Sequence, residues 1–158
     1  KGGARLSYRR GQEMRPLPTR DGKSLYYSAD QSGPPDILLK VLDSPDADQD
    51  VLAEPGLQYP SDLSPDGALL LYETDQDPAM RADLWVLPLA GKAKPYPFVR
   101  SPASELGGRF SPDGTQVAYV SDESGRSQVY VRPFPGPGYA RQVSQAGGSS
   151  PRWSRDGR

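Results

Sequence analysis

The sequence contains no cysteine and no histidine among its 158 residues. Without cysteine there are no disulfides, no thiol nucleophile and no cysteine metal ligands, although either redox compartment tolerates such a domain. Without histidine there is no Ser-His-Asp triad, no histidine zinc site and no imidazole acid–base chemistry within these residues. Apolar residues are also scarce at 35%, and no run approaches the roughly 18 residues of a membrane helix. Charge of one sign is lacking too. A net charge of −1 leaves no global field to draw in nucleic acid or an anionic membrane. Neither nucleic-acid binding nor membrane insertion is therefore expected.

What the chain has in excess is turn residues, 17 Gly and 18 Pro, as suits many short strands joined by tight turns. Phe110-Ser-Pro-Asp-Gly-Thr-Gln-Val-Ala-Tyr-Val-Ser121 is the clearest unit. Ser111-Pro112-Asp113-Gly114 fits a type I turn, with Pro presetting φ at the second position. Val117, Tyr119 and Ser121 then alternate with Gln116, Ala118 and Val120, the period of a strand.

This block recurs. Thr19-Arg20-Asp21-Gly22, Ser64-Pro65-Asp66-Gly67, Ser111-Pro112-Asp113-Gly114 and Ser154-Arg155-Asp156-Gly157 align on glycines spaced by 45, 47 and 43 residues. Downstream columns agree: Leu25, Leu70 and Val117, then Tyr27, Tyr72 and Tyr119, then Asp30, Asp75 and Asp122. A second run follows at Asp36-Ile37-Leu38-Leu39, Asp83-Leu84-Trp85-Val86 and Gln128-Val129-Tyr130-Val131. A repeat of about 45 residues has the length of one four-stranded propeller blade.

The spacing predicts all-β architecture with about three four-stranded blades: 14–54, 58–100 and 106–145. Residues 1–9 are expected to end a preceding blade, and 150–158 to start a further one. Strands are expected at Ser24–Ala29, Ile37–Leu42, Leu69–Thr74, Leu84–Leu87 and Arg141–Ser144, with Pro97 confining its strand to an outer edge. Three blades leave apolar faces uncovered, so the chain is expected to be part of a larger ring with further blades in cis. A self-contained β-sandwich or a repeat-completing oligomer is the alternative.

The pattern of an aromatic, Ser-Pro-Asp-Gly, an alternating strand ending in Ser-Asp, and an Asp-Ile-like third strand resembles the WD40-like (PD40) repeat of TolB-like propellers. Leu63–Gly67, Phe110–Gly114 and Trp153–Gly157 carry the resemblance, and Pro18-Thr19-Arg20 departs from it. It implies a β-propeller scaffold, a protein or peptide partner, and a periplasmic or extracytoplasmic location. Similar repeats stand in front of prolyl-oligopeptidase-type hydrolases and beyond the membrane segment of some bacterial Ser/Thr kinases, so a substrate-gating or sensor propeller is the competing reading.

No residue is expected to be catalytic or to hold a cofactor or metal. Asp21, Asp66, Asp113 and Asp156 repeat once per blade and are read as bonding their own turns. Asp46, Asp48 and Asp50 alternate as in a calcium loop, but Val51 and Leu57 occupy the positions where that loop needs Gly and Glu. Asp75, Asp77 and Asp83 are read as a solvated hairpin set. Arg5, Arg9, Arg10, Arg15, Arg20 and Lys23 are read as edge cations. Tyr27, Tyr72 and Tyr119 are read as inter-blade packing, and Trp85 and Trp153 as core. Ser104, Ser149 and Ser150 lie in no Gly-x-Ser-x-Gly. The loops Asp43–Asp50, Asp75–Ala82 and Pro133–Tyr139 are the expected contact surfaces. Of these, Phe134 and Tyr139 are expected to offer two aromatics that can be removed without harm to the fold.

Overall fold

The computed structural model describes residues 11–30, 33–44, 47–77, 81–91 and 93–157. The expected strand at 1–9, together with Arg5, Arg9, Arg10 and Asp46, lies outside the described residues. Twelve strands and no helix occur among those described. They form three antiparallel sheets, each a simple meander. The first is β1 (Glu13–Pro18), β2 (Ser24–Ala29), β3 (Asp36–Val41) and β4 (Gln49–Leu52). The second is β5 (Gln58–Leu63), β6 (Leu69–Thr74), β7 (Asp83–Pro88) and β8 (Tyr96–Val99). The third is β9 (Glu105–Phe110), β10 (Gln116–Ser121), β11 (Gln128–Pro133) and the short β12 (Arg141–Gln142). Pro97 falls on β8, an edge strand, where its missing N–H costs no ladder bond.

Each β1–β2-type hairpin closes through the Asp-Gly turn. The N–H groups of Gly22, Gly67, Gly114 and Gly157 donate to the carbonyls of Thr19, Ser64, Ser111 and Ser154 at 2.8–3.0 Å. Arg20 and Arg155 replace proline without opening that bond. All four glycines have φ between 67 and 78°, the left-handed region where a Cβ is penalised.

Stacking of the sheets explains why the second strand of each is buried on both faces. Positions in β6 and β10 are buried from the second residue onward, so LLLY and VAYV read as continuous apolar runs. One core cluster joins the first and second sheets through Tyr26, Ile37, Leu63, Leu70 and Tyr72. Another joins the second and third through Leu71, Leu84, Phe98, Phe110 and Tyr119. Tyr27 packs with Leu38 on the far face of the first sheet and donates its hydroxyl to Asp48 at 2.6 Å. Trp85 packs against the first of these clusters, whereas Trp153 belongs to none of them.

Backbone staples repeat between sheets. The N–H of Gln58 donates to Pro35 O at 2.9 Å, and that of Glu105 to Ala82 O at 2.6 Å. Gly148 repeats the bond to Ser127 O at 3.1 Å. The segment Pro151–Trp153 aligns with the earlier inner strands but forms no ladder. No second strand lies beside it among the described residues, and strand geometry needs that partner. The three sheets do not close a ring.

Candidate functional site

The innermost strands β1, β5 and β9 run side by side, and each carries a bulge against its neighbour. Arg15 and Gly107 have φ of 52 and 64°, and Ser150, at the matching place in the last segment, has 51°. Each stands seven residues before its repeat's turn glycine. Pro60 occupies that place in β5, where its ring forbids a positive φ. Left-handed backbone at a non-glycine residue stores strain, and its recurrence here marks the wall as built to one plan.

Two cavities of about 520 and 420 Å³ run along this wall and share Leu17 and Arg109. Arg15, Ser61, Glu73, Gly107, Ser150 and Arg152 line the first, away from the Asp-Gly turns. Arg20, Asp62, Pro112, Trp153 and Arg155 line the second, nearer the turns. Five arginines thus face two carboxylates.

Glu73 is the pivot. Its side chain rises from β6, is buried, and accepts from Arg15 Nη1 at 2.5 Å and from the Gly107 N–H at 2.8 Å. A carboxylate of the second sheet therefore ties together the first and the third. Arg15 also lies over the Tyr59 ring, 4.5 Å from its centroid. Arg109 spans the second and third sheets, donating to the Ser61 carbonyl and to Gly108 O at 2.7 Å. Burial, and then the nearby charge of Arg152, push its pKa below the usual arginine value. Asp62 accepts from the Phe110 N–H at 2.8 Å; burial pushes its carboxyl up, against that bond and the charges of Arg109 and Arg152. Trp153 is held by its indole N–H on Arg109 O at 2.9 Å. Arg152 is exposed and donates to Pro151 O at 2.9 Å. Among the described residues no carboxylate forms an ion pair with it. The wall offers mostly donors and positive charge, a chemistry that receives carbonyl and anionic groups.

The sequence profile described as the TolB β-propeller domain, PD40, matches residues 4–158. The chain belongs to this family. Among solved structures it is similar to the putative TolB of Agrobacterium tumefaciens, with TM-score 0.76 and 21% identity over 96% of this chain and 57% of that one. TolB of Acinetobacter baumannii gives 0.78 and 23%, covering 94% and 36%. A puromycin-hydrolyzing peptidase of Mycobacterium tuberculosis gives 0.70 and 16%, covering 86% and 24%. At these identities the likeness is one of fold. The chain spans little more than half of the first of these proteins and less of the others.

Within this PD40 propeller the repeated aspartates act on the backbone. Asp21, Asp66 and Asp113 accept from Thr19, Ser64 and Ser111 hydroxyls and from the N–H two residues on. Those bonds hold their carboxyls below the usual range. Asp156 accepts from the Ser154 hydroxyl. Asp30, Asp75 and Asp122 each accept the N–H just before an inner strand, from Gln12, Leu57 and Ser104. Asp77 and Asp83 meet on Arg100, and Asp48 pairs with Lys40, so these carboxylates are taken up by cationic side chains of the protein itself.

The Pro133–Tyr139 loop differs from expectation. Phe134 is half-buried, its ring 5.6 Å from Phe98 and 5.0 Å from Phe110, and belongs to the core. Sequence spacing alone does not tell an exposed loop aromatic from one folded back under its sheet. Tyr139, at 99% exposure, is the loop's one open ring, so only it can be removed without touching the core.

Position 105 carries a feature the sequence hid. Gln58 begins β5 and its amide clamps the preceding loop, donating to Glu54 O and Gly56 O and accepting from the Glu54 N–H. Glu105 takes the same place in β9, fully buried, with Oε1 on Ser101 and Ser121 and Oε2 without a partner. Burial first, and then the charges of Asp83 and Glu123, push its carboxyl up against the Ser101 and Ser121 bonds. A carboxyl raised by folding stabilises fully below its unfolded value near 4.5 and loses that contribution as pH rises through the folded value. Glu105→Gln is therefore expected to raise stability at pH 7 by about 1 kcal/mol, or about 2–4 °C in Tm, since a neutral amide costs less to bury than a carboxylate. The gain should vanish near pH 4. An equal gain at both pH values in thermal scans would show that Glu105 is not the source of the pH dependence.

Proposed function

We propose that this chain is a non-catalytic propeller scaffold that binds a protein or peptide partner along the wall formed by β1, β5 and β9. The observation that carries the reading is the donor-rich pair of adjoining cavities on those strands, suited to an extended chain with free carbonyls. The lining hydroxyls that meet a carboxylate, Ser111 on Asp113 and Ser154 on Asp156, do so within the repeated turns that close each hairpin, a structural use that favours binding over chemistry. Further blades, in cis, complete the ring beyond the third sheet and cover the apolar strip of Ala118, Val129, Val131 and Val143. A periplasmic site belongs to the same proposal. The second reading, a gating propeller of a prolyl-oligopeptidase-type hydrolase, draws on the fold likeness to peptidases and would require a catalytic domain in the same polypeptide; the third is the sensor domain of a bacterial Ser/Thr kinase.

The test is selection of a displayed random-peptide library on the intact protein, followed by Ser149→Trp, which places an indole in the first cavity from an exposed position. Enriched peptides should lose binding to the plugged variant. Retention of full affinity by Ser149→Trp would move the binding surface off this wall.

A further inference from the structure

We propose that the inner wall selects an acidic segment, an extended peptide whose side-chain carboxylates are received by Arg152 and Arg155 over the Arg109 floor; this rests on the peptide-binding reading given above. Arg15, Arg20, Arg109, Arg152 and Arg155 line the two cavities, against Asp62 and Glu73. The whole chain has net charge −1, so this concentration of positive charge is local to the wall and opposed to the rest of the molecule.

The two acids are occupied. Glu73 is taken by Arg15 and the Gly107 N–H, and Asp62 accepts from the Phe110 N–H while facing the charges of Arg109 and Arg152, so two carboxylates stand against five guanidinium groups. Arg109 is fixed by carbonyls of the second and third sheets, which hold its charge in place without neutralising it. Arg152 and Arg155 are exposed beside it, and among the described residues neither forms an ion pair with a carboxylate. Like charges gathered on a partly desolvated wall raise the free energy of the empty state. A bound anion relieves that repulsion, and its attraction is strengthened where water is excluded.

The shape favours a peptide over nucleic acid. Adjoining cavities of about 520 and 420 Å³ that share Leu17 and Arg109 are of a size for one extended strand. A single-stranded nucleic acid would need open rings to stack on. Phe110 is buried in the core, which leaves the half-buried Trp153 as the one aromatic ring in the lining of these cavities, where successive bases would need several. Serines 61, 149 and 150 supply hydroxyls between the arginines, at a scale suited to carboxylates and peptide carbonyls.

The experiment is fluorescence anisotropy on the intact protein with three labelled probes of equal length: an oligo-glutamate peptide, its oligo-glutamine counterpart, and a single-stranded oligonucleotide. The glutamate probe should bind at least about tenfold more tightly than the glutamine probe at low salt, and the preference should shrink as salt shortens the screening length. Arg152→Glu with Arg155→Glu should cost the glutamate probe about tenfold more than it costs the glutamine probe, so that the preference between the two disappears. Both positions are exposed, so unfolding does not confuse the result, and a Tm equal to that of the unsubstituted protein verifies this. Equal binding of both peptides would overturn the acidic preference and leave peptide binding standing. Failure of both peptides, while library-selected peptides still bind and respond to Ser149→Trp, would also overturn it alone. Tighter binding of the oligonucleotide would replace the peptide by nucleic acid, and loss of selected peptides as well would remove the underlying reading.

Discussion

Tyr119→Ala is expected to cost about 3–5 kcal/mol, the range for removing a fully buried aromatic side chain. Tyr119 is 2% exposed and sits in the cluster that joins the second and third sheets. Its ring stacks on Tyr130 at 5.9 Å and shares that cluster with Leu71, Leu84 and Phe98 of the second sheet and Val117 of its own. Truncation opens a void between two sheets that are pinned elsewhere by backbone staples, so the site has little freedom to collapse. Domain stabilities are typically 5–15 kcal/mol, which makes this a large fraction of the whole. Urea unfolding should show a much lower midpoint. Tyr139→Ala is the control: at 99% exposure it should change stability by no more than about 0.5 kcal/mol. Equal midpoints for the two variants would mean that the third sheet does not depend on the second.

Gly108→Val carries the second large effect and acts through the opposite fault, too much volume. Gly108 lies on β9 where the third sheet meets the second. A Cβ there would stand 2.4 Å from Leu71 Cδ2 and 3.3 Å from Leu84 Cδ1. Both leucines are fully buried, so neither side chain can swing aside into solvent. The inner strand must then move away from β5, straining the Ser61–Gly108 and Arg109–Ser61 bonds that join the two sheets. Overpacking of this kind costs about 1–3 kcal/mol, and valine, with two further methyls, belongs at the upper end. Gly33→Ala has open space and an ordinary φ, and should be neutral to slightly stabilising. A Gly108→Val protein as stable as the Gly33→Ala protein would show that the inner strands are not in close contact.

The periodic part of the fold was legible in the residues. β2 and β6 occupy the ranges that alternation and the Asp-Gly turns marked, because turn chemistry and a two-residue period are local properties. β3 and β7 start a residue earlier than expected, at Asp36 and Asp83, the polar residues that head their apolar runs. Asp83 instead accepts the Ser101 N–H and pairs with Arg100 within the sheet. β12 is two residues shorter than the apolar pattern suggested, since Val143 and Ser144 turn their N–H groups toward the Val129 carbonyl.

The wall was not legible, and the reason is geometric. Arg15, Arg109 and Arg152 lie 94 and 43 residues apart in the sequence, and the basic run around Arg15 gives no sign of which distant arginines it will meet. Only stacking of the sheets brings them together. Arg15 read as an edge cation because its acid, Glu73, stands 58 positions away. The burial of Glu105 has no local sign either, since nothing in Ser104-Glu105-Leu106 announces burial on both sides. Its resemblance in position to Gln58 was the available signal, nine residues before each turn glycine.

The staples at Gln58, Glu105 and Gly148 all point the same way: the first residue of one unit reaches back to the residue before the third strand of the unit behind it. Such an architecture has a grammar of whole words. Duplicating or deleting one complete repeat of about 45 residues leaves every donor facing an acceptor of the same kind, because each unit knows only its neighbours. Removing half a unit orphans a donor on one side and an acceptor on the other, and no later unit can repair the mismatch. Change in such a chain is therefore admitted in integers, with ring size able to drift across a lineage while the interior of each repeat is held fixed.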